Sequence, residues 1–171
     1  MSKLGCVSLL MALCLLAVAC GASLGTPVAG EGPALGGQEL ALQALTAYFE
    51  HLNAGRYEEA AELYGGSYDI LVGYNPDLDP KDYAGLFRNG CTMSGLQCLK
   101  LREARLQEQV PATGEYRFVV QFSTAEGQLF VRGPCCGATE EEMPSESEFL
   151  FTVVKGGDGK YRVQDLPVYV P

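Results

Sequence analysis

The sequence predicts an α+β domain in which N-terminal helices pack on a curved antiparallel sheet. Three observations predict this fold class. Apolar residues recur at helical spacing between residues 38 and 64, and they alternate at strand spacing from residue 99 onward. Helices followed by a run of strands are typical of helices gathered on one face of an antiparallel sheet. Residues 38–171 are also enough chain for one domain with its own core.

The chain begins with a stretch that is typical of an export signal. Lys3 precedes an apolar run that ends in Ala17-Val18-Ala19, directly before Cys20. This layout resembles the lipobox of bacterial lipoproteins, whose cysteine takes lipid and becomes the first mature residue. A plain secretory signal and a retained membrane helix are the alternatives, but the run of about 16 residues is short for a span of roughly 20. We therefore expect a lipoprotein signal peptide over residues 1–19 and lipid on Cys20.

The segment after Cys20 is expected to be a flexible tether. Residues 21–37, GASLGTPVAGEGPALGG, are rich in glycine, alanine and proline and show no apolar period. The domain organisation is then a signal peptide over 1–19, a lipidated N-terminus and tether over 20–37, and a single domain over 38–171. The lipobox resemblance implies an extracytoplasmic protein that its lipid anchors to a bacterial cell membrane.

Two helices are predicted at the start of the domain. Over residues 38–53 the apolar positions i, i+4, i+7 and i+11 share one helical face; they are Ala41, Leu45, Tyr48 and Leu52. Gly55 is placed to end this helix, and a second helix is expected over residues 56–64. The pair is similar to one tetratricopeptide unit, but such repeats need several copies and the sequence shows no second one.

The next segment combines an ambiguous stretch with a helix start. Residues 67–74 fit either a helix or an extended chain. The loop after them has the acid spacing of a calcium site, yet Pro80 occupies the place where such a loop needs glycine. We favour capping, with Asp79 as the N-cap, Pro80 at the first helical position and Asp82 adding negative charge in the first turn. This helix is expected to run to about Asn89-Gly90.

Five strands are predicted after the helices, over residues 99–110, 115–125, 128–132, 149–155 and 160–168. In the first, the apolar parity shifts near Arg102-Glu103, which indicates a bulge. The second alternates most clearly, with one face formed by Tyr116, Phe118, Val120 and Phe122. Gly156 to Gly159 is a hairpin turn between the last two strands. Residues 133–147 are expected to form a loop whose acidic run faces solvent.

Four cysteines lie in the domain, namely Cys91, Cys98, Cys135 and Cys136. An even number in an exported domain indicates two disulfides, with three possible pairings. Joining Cys91 to Cys98 leaves the other two to close a strained ring, and the cross-cluster pairings constrain more chain, so the latter are favoured chemically. The sequence leaves the pairing open. The cysteine spacing, with His51 as the only histidine, suits neither a metal site nor a thioredoxin-type motif.

The charge of the chain excludes some partners. Lys3 is the only charged residue in 1–19, so the remainder keeps all 21 acidic residues against 11 basic ones. A protein of this charge offers no basic face for phosphates, and nucleic acid is therefore not an expected partner. Anionic lipid head groups would also repel it. The expected membrane attachment is the lipid on Cys20.

The order of the elements resembles the nuclear transport factor 2-like superfamily, also called the cystatin-like cone. The resemblance rests on the opening helix Leu40–Leu52, the step Gly55-Arg56-Tyr57-Glu58-Glu59-Ala60-Ala61 and the long final strands. It covers residues 38–171 and implies a cone-like sheet that encloses a pocket against the helices. Members of the superfamily include isomerases, cyclases and dehydratases, and many others that only bind or scaffold.

Three residues are candidates for pocket chemistry, namely Asp165, Asp69 and His51. Strand parity places Asp165 on the same face as Tyr161 and Val163, where an inward carboxylate would have a raised pKa and could act as a base. The simpler interpretation, which we favour, is a strand-end carboxylate that accepts a hydrogen bond. His51 lies on the edge of the first helix, and Asp69 falls in the ambiguous segment.

These observations favour a non-catalytic domain that binds a small apolar ligand or an envelope protein. An enzyme that uses Asp165 is the alternative, and a structural envelope protein acting through its surface is a weaker one. No cofactor and no metal are expected. The sequence indicates neither the identity of the ligand nor the oligomeric state.

Overall fold

A computed structural model describes residues 36–171 and confirms the α+β class. The predicted signal peptide, Cys20 and the tether up to residue 35 lie outside these residues. Four helices precede four strands: α1 Gly37–Asn53, α2 Tyr57–Glu62, α3 Asp69–Tyr74, α4 Tyr83–Thr92, β1 Lys100–Val110, β2 Glu115–Ser123, β3 Phe149–Lys155 and β4 Tyr161–Val163. The ambiguous segment 67–74 is thus largely the short helix α3.

The four strands form one antiparallel sheet in the order β1-β2-β3-β4, so each strand pairs with the next in sequence. The register of β1 against β2 shifts between Leu101 and Glu103 and again between Leu106 and Glu108. The first shift confirms the bulge predicted near Arg102-Glu103. Because a bulge bends its strand and increases the local twist, these two shifts bend the longest strand of the sheet.

The core lies where α1 packs on the sheet. All four residues predicted for the inner face of α1 are buried, and so is the predicted face of β2. Phe49 of α1 contacts Phe122 and Phe151 edge to face, with ring centroids 4.7 and 4.9 Å apart. Edge-to-face aromatic pairs add to the free energy of apolar burial, so these rings fix the helix against the sheet.

The helix ends follow local signals, with one correction. Gly55 has φ +73° and follows the C-cap of α1, as predicted for a left-handed position that glycine adopts without strain. The predicted N-cap at Asp79 is wrong. Asp82 caps α4 by accepting a hydrogen bond from the Gly85 amide at 2.9 Å, while Asp79 accepts one from Lys81 in the preceding turn. Two acids one turn apart satisfied the same capping pattern.

Two predicted strands are shorter in the structure or not formed. Residues 128–132 make only isolated bridges, of Leu129 to Ser123 and of Arg132 to Glu146. The reason is that β2 pairs with β1 along one edge and with β3 along the other. Only the short stretch of β2 after Val120 has an edge that β3 leaves free. The last strand, predicted over 160–168, ends at Val163. Beyond Val163 the Asp165 side chain, and not a backbone carbonyl, accepts the hydrogen bond from the Thr152 amide of β3, and the chain leaves the sheet.

Candidate functional site

The C-terminal residues 166–171 leave the sheet and pair with the loop that follows α4. Gln97 donates its amide to the Val168 carbonyl at 2.7 Å, and Val170 donates its amide to the Gly95 carbonyl at 2.9 Å. Gly95 has φ +82°, and a Cβ at this position would collide with the Val170 carbonyl. Only glycine permits this close approach of two backbones, so the loop sequence itself fixes where the C-terminal segment lies.

One disulfide closes the same loop. It joins Cys91, in the last turn of α4, to Cys98, with their Cα atoms 5.5 Å apart. The preference for cross-cluster pairing is therefore wrong. The tight turn after α4 brings Cys98 back beside the helix end, whereas Cys135 and Cys136 are free and lie in the loop between β2 and β3. The bond holds in place the loop on which the C-terminal segment is paired.

A groove forms where α3, the disulfide-closed loop and the C-terminal segment meet. We call it the Tyr169 groove and define it by Ile70, Tyr74, Met93, Leu96, Leu166 and Tyr169. Three adjoining cavities of about 250, 430 and 380 Å³ all have Tyr169 in their lining. The last two are in the size range of small-molecule sites, and the third extends to the loop with Cys135 and Cys136.

The large side chains of the groove are apolar or aromatic, although much of the groove faces solvent. Ile70 is 63 % exposed, Tyr74 60 %, Met93 71 % and Tyr169 43 %. These four side chains line two cavities that share Tyr74 and Tyr169, and clustered exposed apolar side chains mark binding sites more often than isolated ones do. Ser94 and the two tyrosine hydroxyls supply the few polar groups that could orient a ligand.

A second feature is a cluster of tyrosines between the helices, consisting of Tyr48, Tyr64, Tyr68 and Tyr83. Tyr64 donates its hydroxyl to the Ser67 carbonyl at 2.9 Å. Among the residues that the structure describes, the buried hydroxyls of Tyr48 and Tyr68 have no hydrogen-bond partner. Burial raises the pKa of Tyr64 to about 12, with a further contribution from Asp165. Burial likewise raises the pKa of Tyr48 and of Tyr68.

The Asp165 side chain forms a hydrogen bond with the edge of the sheet. Its Oδ2 accepts a hydrogen bond from the Thr152 amide at 2.5 Å, while the Gln164 amide donates to the Thr152 carbonyl at 2.9 Å. The carboxylate thus stands in for the backbone carbonyl that a longer β4 would offer to β3. Strand parity does not extend to Asp165, because β4 ends two residues earlier. This geometry favours the structural interpretation over a catalytic base.

The other two candidates lie in different elements. Asp69 is exposed at the first position of α3, and its backbone amide donates a hydrogen bond to the Ser67 hydroxyl at 3.1 Å. His51 lies in the last turn of α1, and its Nδ1 accepts a hydrogen bond from Arg56 Nε at 2.8 Å. The hydrogen bonds of Asp165, Asp69 and His51 therefore tie each to a separate part of the domain, without a shared acid–base set.

No pattern in the sequence singled out the residues of the groove. Ile70 and Tyr74 fall in the stretch that fitted either helix or strand, and Tyr169 lies one residue beyond the predicted end of the last strand. Pro167 was the available signal, because proline is disfavoured inside a sheet and marks the point at which a strand ends. Because the strand ends before this point, the apolar residues 166–170 can be buried only by packing on another part of the domain.

Comparisons with known proteins add no relatives. No protein-family model matches the chain, and no curated protein matches it significantly. Within residues 36–171, no three histidine, cysteine or acidic side chains are grouped as a metal site would require. In the same residues, no helix is both long enough and apolar enough to cross a membrane.

Proposed function

We propose that this protein is a lipid-anchored, extracytoplasmic lipoprotein whose domain binds a small apolar ligand in the Tyr169 groove without catalysing a reaction. The observation that carries the binding proposal is the set of three adjoining cavities around Tyr169. The anchor rests on the lipobox-like sequence before Cys20. The domain itself is proposed to be cone-like, as in the nuclear transport factor 2-like superfamily, with its helices on one face of the bent sheet.

The shape of the groove favours a small molecule as its occupant. Its cavity of about 250 Å³ lies between two walls, one formed by Ile70 and Tyr74 of α3 and the other by Leu166 and Tyr169 of the C-terminal segment. Small-molecule sites are of this kind, largely apolar with a few polar groups. The formal net charge of −9 disfavours an anionic ligand, so a neutral or cationic apolar molecule is proposed.

A neutral apolar dye tests the groove. N-phenyl-1-naphthylamine, whose fluorescence rises in an apolar environment, is expected to bind the full chain with saturable affinity. Tyr169→Ser and Ile70→Ser each remove a side chain from the groove and should weaken binding about tenfold, the effect of losing roughly 1.4 kcal/mol of contact. Titration of each purified variant with the dye measures the change.

Leu150→Ser is the matched control for these variants. Leu150 is 52 % exposed on β3 and lies outside the groove, so its removal should leave dye binding unchanged. Unchanged binding in both groove variants would contradict the proposed site. If the dye does not bind at all while a bacterial envelope protein is retained on the groove, the alternative of a protein partner is favoured instead.

The anchor has its own test. Mass spectrometry of the mature protein from a bacterial membrane fraction should find Cys20 at the N-terminus with the added mass of a diacylglycerol. Cys20→Ser should lose that mass and leave the membrane fraction, because stable attachment needs the two acyl chains on this residue. Cys14→Ser is the control and should remain anchored. A Cys20→Ser protein that keeps its lipid mass would contradict the anchor.

A further inference from the structure

We propose that Cys135 and Cys136 are a redox couple that closes a vicinal disulfide by thiol–disulfide exchange. Their Sγ atoms lie 2.7 Å apart, about 0.7 Å beyond the ~2.05 Å of an S–S bond. No large movement of either side chain is therefore needed to form the bond. With Cys91 and Cys98 already joined, these two are the cysteines of the domain left to react.

The backbone at this pair is held in an uncommon conformation. Cys136 has φ +61° and is the only residue other than glycine with a positive φ in the part of the chain that the structure describes. The left-handed region is unfavourable for a residue that carries a side chain, and such strain is concentrated at functional sites. Gly137 follows with φ +90°. The turn directs the two neighbouring side chains to the same side, where their sulfur atoms meet.

The two thiols differ in solvent exposure, and we infer the order in which they react from this difference. Cys136 is exposed, whereas Cys135 is half-buried. The hydrogen bond with Cys136 also raises the pKa of Cys135. The attacking group in thiol–disulfide exchange is an accessible thiolate. Cys136 is therefore the thiol that meets the oxidant, and Cys135 is the one that closes the ring.

The oxidant is a disulfide, either of a small thiol or of an oxidoreductase. The Cys136 thiolate attacks one sulfur of that disulfide, which forms a mixed disulfide and releases one thiolate. The Cys135 thiolate then attacks Cys136 Sγ, so that the Cys135–Cys136 bond forms and the second thiolate leaves. The two cysteine protons pass to the two released thiolates. Two thiols are thereby oxidised, and one disulfide is reduced by two electrons.

The pair is also part of a cavity wall. Cys135 and Cys136 line the cavity of about 380 Å³ together with Met143 and the C-terminal residues Tyr169 to Pro171. Oxidation replaces two thiols at this wall by a rigid ring. The redox proposal does not depend on what binds in the Tyr169 groove, because its chemistry can be followed on the protein alone.

Oxidised glutathione provides the test on the full chain in detergent. After incubation, free thiols are alkylated with a maleimide, and the protein is digested with trypsin. The tryptic peptide of residues 133–155 contains Cys135 and Cys136 as its only cysteines. Before oxidation it should carry two maleimides. After oxidation it should carry none and weigh two hydrogens less than the reduced, unlabelled peptide, with no glutathione attached.

The disulfide that is already present serves as an internal control. Cys91 and Cys98 lie together in the tryptic peptide of residues 89–100, which should carry no maleimide before or after oxidation. In a titration with reduced glutathione, the vicinal ring should open at a lower thiol concentration than this bond, because strained and exposed disulfides are the more easily reduced.

Two single variants separate the roles of the thiols. Cys135→Ser should accumulate glutathione on Cys136, since no thiol remains to close the ring, whereas Cys136→Ser should react more slowly at the half-buried Cys135. The proposal is overturned if the wild-type peptide keeps two maleimides in excess oxidised glutathione, retains a glutathione adduct, or appears as a dimer joined through these cysteines. Both variants keep the Cys91–Cys98 disulfide. Circular dichroism of each variant shows separately whether it is folded.

Discussion

The free energy of unfolding is expected to fall steeply as the pH rises above 10. Burial raises the pKa of Tyr48, Tyr64 and Tyr68 above the ordinary value of 10.0. Below pH 10 these phenols are neutral in both states, and their contribution to stability is complete. Above it the unfolded chain loses protons that the folded protein keeps, so stability is lost until the pH passes the folded pKa, which for Tyr64 is about 12.

The slope gives the size of this effect. Each tyrosine that stays protonated only in the folded state lowers the free energy of unfolding by up to about 1.4 kcal/mol per pH unit. Three such groups would together remove up to about 4 kcal/mol per pH unit, which over two units is a large part of the roughly 5–15 kcal/mol that stabilises a small domain. Urea unfolding at a series of pH values between 8 and 12 measures the slope.

Tyr48→Phe isolates one member of the cluster. It removes a buried hydroxyl that has no partner among the described residues, so stability at neutral pH should be unchanged or higher, and the alkaline slope should become smaller. Tyr74→Phe makes the same change on an exposed ring and should leave the slope as it is. A clear loss of stability in Tyr48→Phe at neutral pH would mean that its hydroxyl is hydrogen-bonded.

Asp165→Ala is expected to destabilise the domain by about 1–3 kcal/mol, because it leaves the Thr152 amide without its acceptor. Asp165→Asn keeps an oxygen in the same place and should cost less than the alanine variant. Urea unfolding gives the free energies. Hydrogen exchange adds a local readout, in which the Thr152 amide should exchange faster in the alanine variant and remain protected in the asparagine variant.

The matched control for this prediction is Asp158→Ala. Asp158 forms an ion pair with Arg162 at 2.6 Å at the surface, and exposed pairs of this kind contribute at most about 1 kcal/mol. Equal losses in Asp165→Ala and Asp165→Asn would show that the charge, and not the hydrogen-bond geometry, is what matters at this position. The enzyme alternative would then regain support, since a base requires the carboxylate itself.

Local patterns were sufficient for most of the elements. The helical face of α1 and the alternating face of β2 were predicted because each element buries one face, and burial imposes a period of 3.6 or 2 on the sequence. The bulge in β1 was visible because it shifts the parity of the apolar residues. The glycine after α1 was predictable because few other residues adopt its backbone conformation.

Competition between partners for the same backbone groups could not be predicted in this way. Residues 128–132 alternate like a strand, but the edges of β2 are largely taken by β1 and β3. The end of the last strand depends on Asp165 meeting Thr152, which is 13 positions away in the chain. The disulfide pairing likewise depends on the turn after α4, and not on the length of chain that each pairing would constrain.

The sequence by itself determined the α+β class, the inner faces of α1 and β2, and the expectation of lipid on Cys20, because each is written in residues that are neighbours along the chain. The tertiary structure alone decided the Tyr169 groove and the position of the Cys135–Cys136 pair in the wall of one of its cavities. The groove joins α3, the disulfide-closed loop and the C-terminal segment, which are far apart in sequence. Its apolar residues carry no shared period, since three separate segments each supply two of them.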